Sequence, residues 1–140
     1  MKSYSLNFEG SWVDVNRHFM PNYAGVYLVY RGTHNTEQQT VNCAEIIYIG
    51  KALDIRQRLS NHDKRNAFVN ELQKGEVLFY SCAKVPMEDL DRVENALIYK
   101  MQPKLNDKLK ESFLYPITRV ISEGACALLA KDFTLDNGIR

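Results

Sequence analysis

The stretch that most restricts how this chain can fold is Pro86 to Met101. Its apolar residues Leu90, Val93, Leu97, Ile98 and Met101 recur at helical spacing and line one stripe of a helix. Pro86 suits the start of that helix, and the early acids Glu88, Asp89 and Asp91 suit its N-terminal dipole. The pattern stops before Pro103. A single apolar stripe needs an apolar surface to cover it. Three segments can supply one as strands: Gly25 to Arg31, Ala44 to Ile49 and Val77 to Val85. The expected fold is therefore α+β, a small, mainly antiparallel three-stranded sheet flanked by helices. Glu94 breaks the helix's apolar stripe at its middle. Burying a carboxylate there costs several kcal/mol unless a cation, a metal or hydrogen bonds compensate. It reads either as half of a structural ion pair or as a metal-binding carboxylate.

At 140 residues the chain has room for one domain, residues 1–140. Its 45% hydrophobic and 25% charged residues are near the averages of folded proteins, which excludes a disordered tail, a collagen-like repeat or a coiled coil. The longest apolar runs, Val26 to Tyr30 and Ala125 to Ala130, fall far below the ~20 residues that span a bilayer. The N-terminus lacks the apolar core of a secretory signal, so a cytoplasmic protein without a membrane partner is expected. Cys43, Cys82 and Cys126 are odd in number and widely spaced, which supports neither a disulfide framework nor a zinc site.

The net charge of +1 argues against a generally basic nucleic-acid binder. Its distribution is uneven. Between Ile46 and Asn66 five basic residues (Lys51, Arg56, Arg58, Lys64, Arg65) face two acids. Between Leu97 and Lys110 four lysines face Asp107 alone. If the two segments meet, they form a polyanion-binding face; otherwise they are solvated helix surfaces. Further elements follow from local signals. Val13 to Phe19 reads as a short helix, and Gly32 to Asn42 as a long polar hairpin loop. Asp54 caps a helix running to about His62, and a second helix covers about Arg65 to Gln73. Beyond Asn106, Ile117 to Ser122 and Ala125 to Phe133 read as two strands or a strand and a helix, with fraying after Asp136. Arg58 and His62, four apart, would share one side of the first of these helices. Tyr27 and Tyr48 each lie beside a glycine near the end of a strand.

Taken in order, these residues resemble the GIY-YIG nuclease domain. Gly25-Val26-Tyr27 is a variant of the first motif with Val for Ile, and Tyr48-Ile49-Gly50 is the second intact. Lys51 follows, then Arg58 ten positions after Tyr48, then His62. Glu94 matches the family's metal-binding glutamate and Asn106, in Pro103-Lys104-Leu105-Asn106, its last asparagine. The motif core spans about residues 24–106. One departure is the interval of 21 positions from Tyr27 to Tyr48, about twice what this family usually has, which a longer hairpin would absorb. The flanking segments contain no recognisable DNA-binding module.

The resemblance implies a divalent-metal-dependent endonuclease that hydrolyses phosphodiester bonds in DNA. Glu94 would hold Mg²⁺ or Mn²⁺, which needs only one or two protein carboxylates. Arg58 would contact the scissile phosphate, and Tyr27 would act as general base with Tyr48 as its partner, or the reverse. His62 would orient the water or a tyrosine hydroxyl. Gly50, Lys51 and Asn106 would contact substrate, although Asn106 is equally suited to fixing a loop. A second copy of the chain or a separate targeting partner would serve double-strand cutting and addressing. The alternative is a non-catalytic nucleic-acid or protein-binding module on the same fold; hydrolysis of RNA or another phosphodiester is a third reading.

Overall fold

The computed structural model describes residues 1–138. The strands are β1 (Lys2–Val13), β2 (Gly25–Asn35), β3 (Thr40–Ala52), β4 (Val77–Lys84), β5 (Thr118–Gly124) and β6 (Asp132–Leu135). The α-helices are α1 (Ile55–Ser60), α2 (Arg65–Asn70) and α3 (Leu90–Met101). A 3-10 turn over Asp14–Phe19 links β1 to β2. All six strands form one sheet in the order β3-β2-β4-β1-β5-β6. The pairs are antiparallel except β1 with β5, which is parallel.

This corrects the expected three-stranded sheet flanked by helices. The sheet is twice as wide and mixed, and two of its three α-helices are only six residues long. The extra strands come from the two ends of the chain. In β1, Tyr4, Leu6 and Phe8 are buried between exposed Ser3, Ser5, Asn7 and Glu9, the two-residue alternation of a half-buried strand. The segment from Ala125 to Lys131 forms turns rather than a strand or helix. The polar stretch expected as a long loop is also mostly strand. β2 runs to Asn35 and β3 starts at Thr40, so the extra length between the tyrosines extends the ladder. Expected fraying beyond Asp136 includes residues 139 and 140, which lie outside the described residues. Among the described residues no helix is long and apolar enough to cross a membrane.

The sheet is covered on two faces, which is why β2 is buried from Gly25 to Tyr30 without interruption. Val26, Leu28 and Tyr30 join Leu90, Val93, Leu97 and Ile98 of α3 on one face. Tyr27 and Val29 join Ile55 and Leu59 of α1 and Phe68 of α2 on the other. β3 is an edge strand, so no neighbour separates the two faces along its outer side. There side chains from α3 and from the α1–α2 region meet.

Candidate active site

Tyr27 and Gly50 are direct partners across β2 and β3. The Tyr27 phenol folds back over its partner. A Cβ on Gly50 would lie 2.3 Å from Tyr27 Oη and 2.4 Å from its Cζ. Only a residue without a side chain admits the ring there. Gly25 meets a similar limit, since a Cβ there would lie 2.1 Å from the Ala83 carbonyl oxygen. The glycines of both tripeptides thus permit close approach. Tyr48 stands two residues before Gly50, on the same face, with its ring 6.3 Å from that of Tyr27.

His62 does not sit on α1. The helix ends at Ser60, and Asn61 departs from helical geometry, so His62 turns inward from the α1–α2 connection. Its ring packs edge-on to both tyrosines and against Phe68. Nδ1 accepts the Lys64 backbone N–H at 3.0 Å, and Nε2 lies 2.8 Å from Tyr27 Oη. Burial, reinforced by Arg58, pushes the His62 pKa down to about 4, so the ring is neutral near pH 7. With Nδ1 accepting, the proton of a neutral ring is on Nε2, and Nε2–H donates to Tyr27 Oη. The Arg58 guanidinium, from α1, places a positive charge beside the same oxygen. The fold therefore brings Tyr27, Tyr48, Arg58 and His62 together. Burial and the neighbouring Tyr48 push the Tyr27 pKa well above the usual phenol value, while Arg58 opposes them. In the resting protein Tyr27 is a neutral phenol whose oxygen faces the His62 donor and the Arg58 charge, both of which favour phenolate.

The buried neutral imidazole gives stability a signed pH dependence. Between about 6.5 and about 4 the unfolded chain binds a proton at His62 that the folded chain refuses. Stability contributed by this site is complete above pH 6.5, falls as pH drops, and levels off below pH 4. The loss is on the order of 3 kcal/mol. Urea midpoints measured across this range are expected to fall more steeply for the parent than for His62→Asn, which cannot titrate.

Glu94 arrives from α3 and opens into a cleft of about 210 Å³ that Tyr48, Lys64, Asn106, Asp107 and Lys108 also line. It is half-buried and enters none of the ion pairs among the described residues. Burial raises its pKa, countered mainly by the charge of Lys51. A partly desolvated carboxylate without an ion-pair partner, facing an open cleft, fits a hard divalent cation that keeps most of its waters. Among the described residues no cluster of three or more His, Cys, Asp or Glu could enclose a metal, so the fit is to a Mg²⁺-type site and not a closed one.

Lys51 follows Gly50 at the mouth of the site and pairs with Asp91. Asn106 is buried and spends its amide on the main chain of β3. Its Oδ1 accepts Ile49 N–H at 3.0 Å, and its Nδ2 donates to Ile49 O at 2.8 Å. It holds the segment after α3 against the edge strand, the loop-fixing role of the two expected for it. Phe68 and Asn95 are not expected at the site from the sequence, and Lys64 enters there only as one of five basic residues in its segment. Phe68 backs His62 and Tyr48, and the Lys64 ammonium lies over the Tyr48 ring at 5.8 Å. Asn95 is buried and anchors the chain after Asn106 through Leu109 O, Ser112 O and Leu114 N. Asn95 carried one legible signal, a polar residue beside Glu94 within an otherwise apolar turn.

Comparison with known proteins gives modest similarity to one kind of protein. The chain is 30% identical over 109 residues to UvrABC system protein C of Fervidobacterium nodosum, covering 74% of this chain and 17% of that protein. It is 36% identical over 84 residues to UvrABC system protein C of Thermosipho africanus, covering 56% and 14%. With UvrABC system protein C of Fusobacterium nucleatum it shares 29% identity over 115 residues, covering 79% and 18%. The chain thus spans less than a fifth of the length of the curated relatives it matches. Any continuous stretch covering 74% of the chain contains Tyr48, Arg58, His62 and Glu94. No family model and no solved structure matches.

Proposed function

We propose that this chain is a divalent-metal-dependent endonuclease of the GIY-YIG type that hydrolyses phosphodiester bonds in DNA. The observation that carries the reading is the contact of His62 Nε2 with Tyr27 Oη and the charge of Arg58 beside the same oxygen, next to a half-buried Glu94 outside every ion pair among the described residues. A protein that only bound nucleic acid would gain nothing from a buried phenol set against an imidazole and a guanidinium, or from a partly buried carboxylate without an ion-pair partner. The sequence similarity to UvrABC system protein C includes most of these residues.

In this reading the small fraction of Tyr27 present as phenolate accepts a proton from the attacking water. His62 and Arg58 stabilise that phenolate, and His62 enters the reaction neutral because its pKa lies near 4. Arg58, extending from α1 to the mouth of the site, also offers forked donors to the non-bridging phosphate oxygens, where charge accumulates. Tyr48 and Phe68 wall the site and hold His62 in place. Glu94 would hold the cation, Mg²⁺ or Mn²⁺, and bound there it would supply Lewis acidity to the phosphate and the leaving oxygen. Lys51 adds positive charge at the entrance, Gly50 admits the Tyr27 ring, and Asn106 fixes the segment after α3 to the edge strand.

The raised Tyr27 pKa sets the sign of the pH dependence. Because little phenolate exists near neutrality, the cleavage rate is expected to rise about tenfold per pH unit through the neutral and mildly alkaline range. Single-turnover cleavage of plasmid DNA across that range tests it. Tyr27→Phe is expected to lose about 10²–10⁴ in rate together with the slope. Retention of both in Tyr27→Phe and their loss in Tyr48→Phe would move the base to Tyr48.

A further inference from the structure

Three of the cations around the site are paired in an unusual way. Arg58 Nη2 bonds Asp63 Oδ1 at 2.8 Å, Lys64 Nζ bonds Asp107 Oδ2 at 3.1 Å, and Lys51 bonds Asp91. The aspartate side chains are 70%, 81% and 70% exposed, about twice as exposed as the cations they cover. No other acid in an ion pair among the described residues exceeds the 51% of Asp132. Elsewhere acids serve structure. Asp14, for example, is largely buried and takes bonds from Arg65 and Tyr80 at 2.5 Å each. At the site the cations are the anchored partners. Arg58 reaches Tyr27 and Lys64 lies over Tyr48, while each aspartate forms the outer layer. Exposed pairs of this kind contribute little to folding, so a competing anion can replace the carboxylate at small cost.

We infer that Asp63, Asp91 and Asp107 are displaceable stand-ins for backbone phosphates, and that Arg58, Lys51 and Lys64 form a track contacting three phosphates of the bound strand. This rests on the nucleic-acid reading of the site and adds where the backbone lies. The aspartates lower affinity for nucleic acid at large, since each bound phosphate must first release a carboxylate. They also reduce the net number of counterions freed on binding.

The test uses the full chain carrying Glu94→Gln, so that the DNA is not cut, and a short fluorescent duplex titrated over a series of KCl concentrations. Adding Asp63→Asn, Asp91→Asn and Asp107→Asn together is expected to tighten binding about tenfold. The slope of log affinity against log salt should steepen by about 2–3. A charge-matched control carries Glu37→Gln, Glu123→Gln and Asp132→Asn, exposed acids on the hairpin turn and the far sheet edge. It should shift affinity less than twofold. An equal shift in the control overturns the inference, because net charge alone would explain it. No shift in the site triple, with the parent still cutting DNA, also overturns it and leaves the nuclease reading intact. Failure of every variant to bind, with no cutting by the parent, removes both.

Discussion

Glu94→Gln is expected to abolish cleavage while leaving the metal-free protein at least as stable as the parent. The two effects have one origin. Burial raises the Glu94 pKa and no ion pair offsets it, so at pH 7–8 the folded, ionised carboxylate carries an unfavourable term absent from the unfolded chain. Glutamine keeps the shape and removes the charge. The advantage of the variant should shrink as pH falls toward the ordinary glutamate value, below which the parent is protonated in both states. Thermal melting with and without Mg²⁺ separates the contributions. Mg²⁺ should raise the parent's midpoint and not the variant's, by the equivalent of about 1.4 kcal/mol at ten times its dissociation constant. A lower midpoint in metal-free Glu94→Gln would identify Glu94 as half of a structural ion pair.

Gly50→Ala is expected to cost about 1–3 kcal/mol of stability and most of the activity. The added methyl would sit 2.3 Å from Tyr27 Oη, and Tyr27 has little room to yield because it is only 1% exposed and packed between α1, α2 and the sheet. The ring must tilt away from His62 Nε2, and a displacement of about 1 Å in a positioned group costs roughly a hundredfold in rate. Urea denaturation and single-turnover cleavage together check this. Near-normal cleavage by a folded Gly50→Ala would show that Tyr27 Oη is not held in a reactive position.

The site was more legible in the sequence than the sheet that carries it. Arg58, His62 and Glu94 stood out because each puts charge or polarity where spacing puts apolar surface, and the fold brings them to Tyr27 and Tyr48 at one edge. The width of the sheet is not legible in the three central strands, because β1, β5 and β6 lie in the end segments. The alternation of Tyr4, Leu6 and Phe8 with Ser5 and Asn7 was readable, but its parallel pairing with β5 joins residues more than a hundred positions apart, which no local pattern specifies. His62 was placed on a helix because four-residue spacing fits one. The chain leaves α1 after Ser60, where burying the ring against Phe68 outweighs another helical turn. Gly50 read as a substrate contact, since closeness to Tyr27 Oη is a tertiary fact. The exposed aspartates were invisible for the same reason: Asp91 and Asp107 meet Lys51 and Lys64 only across 40 and 43 positions of sequence.

The most direct measurement is cleavage of supercoiled plasmid DNA by the purified chain with Mg²⁺ or Mn²⁺, beside Glu94→Gln prepared identically. The account predicts nicking or linearisation by the parent that chelation stops and that the variant lacks by at least a thousandfold, of the order expected when a metal's charge stabilisation is removed. Equal cleavage by Glu94→Gln, or none by a parent that binds the plasmid in a salt-sensitive way, would contradict it and make this fold a binding module.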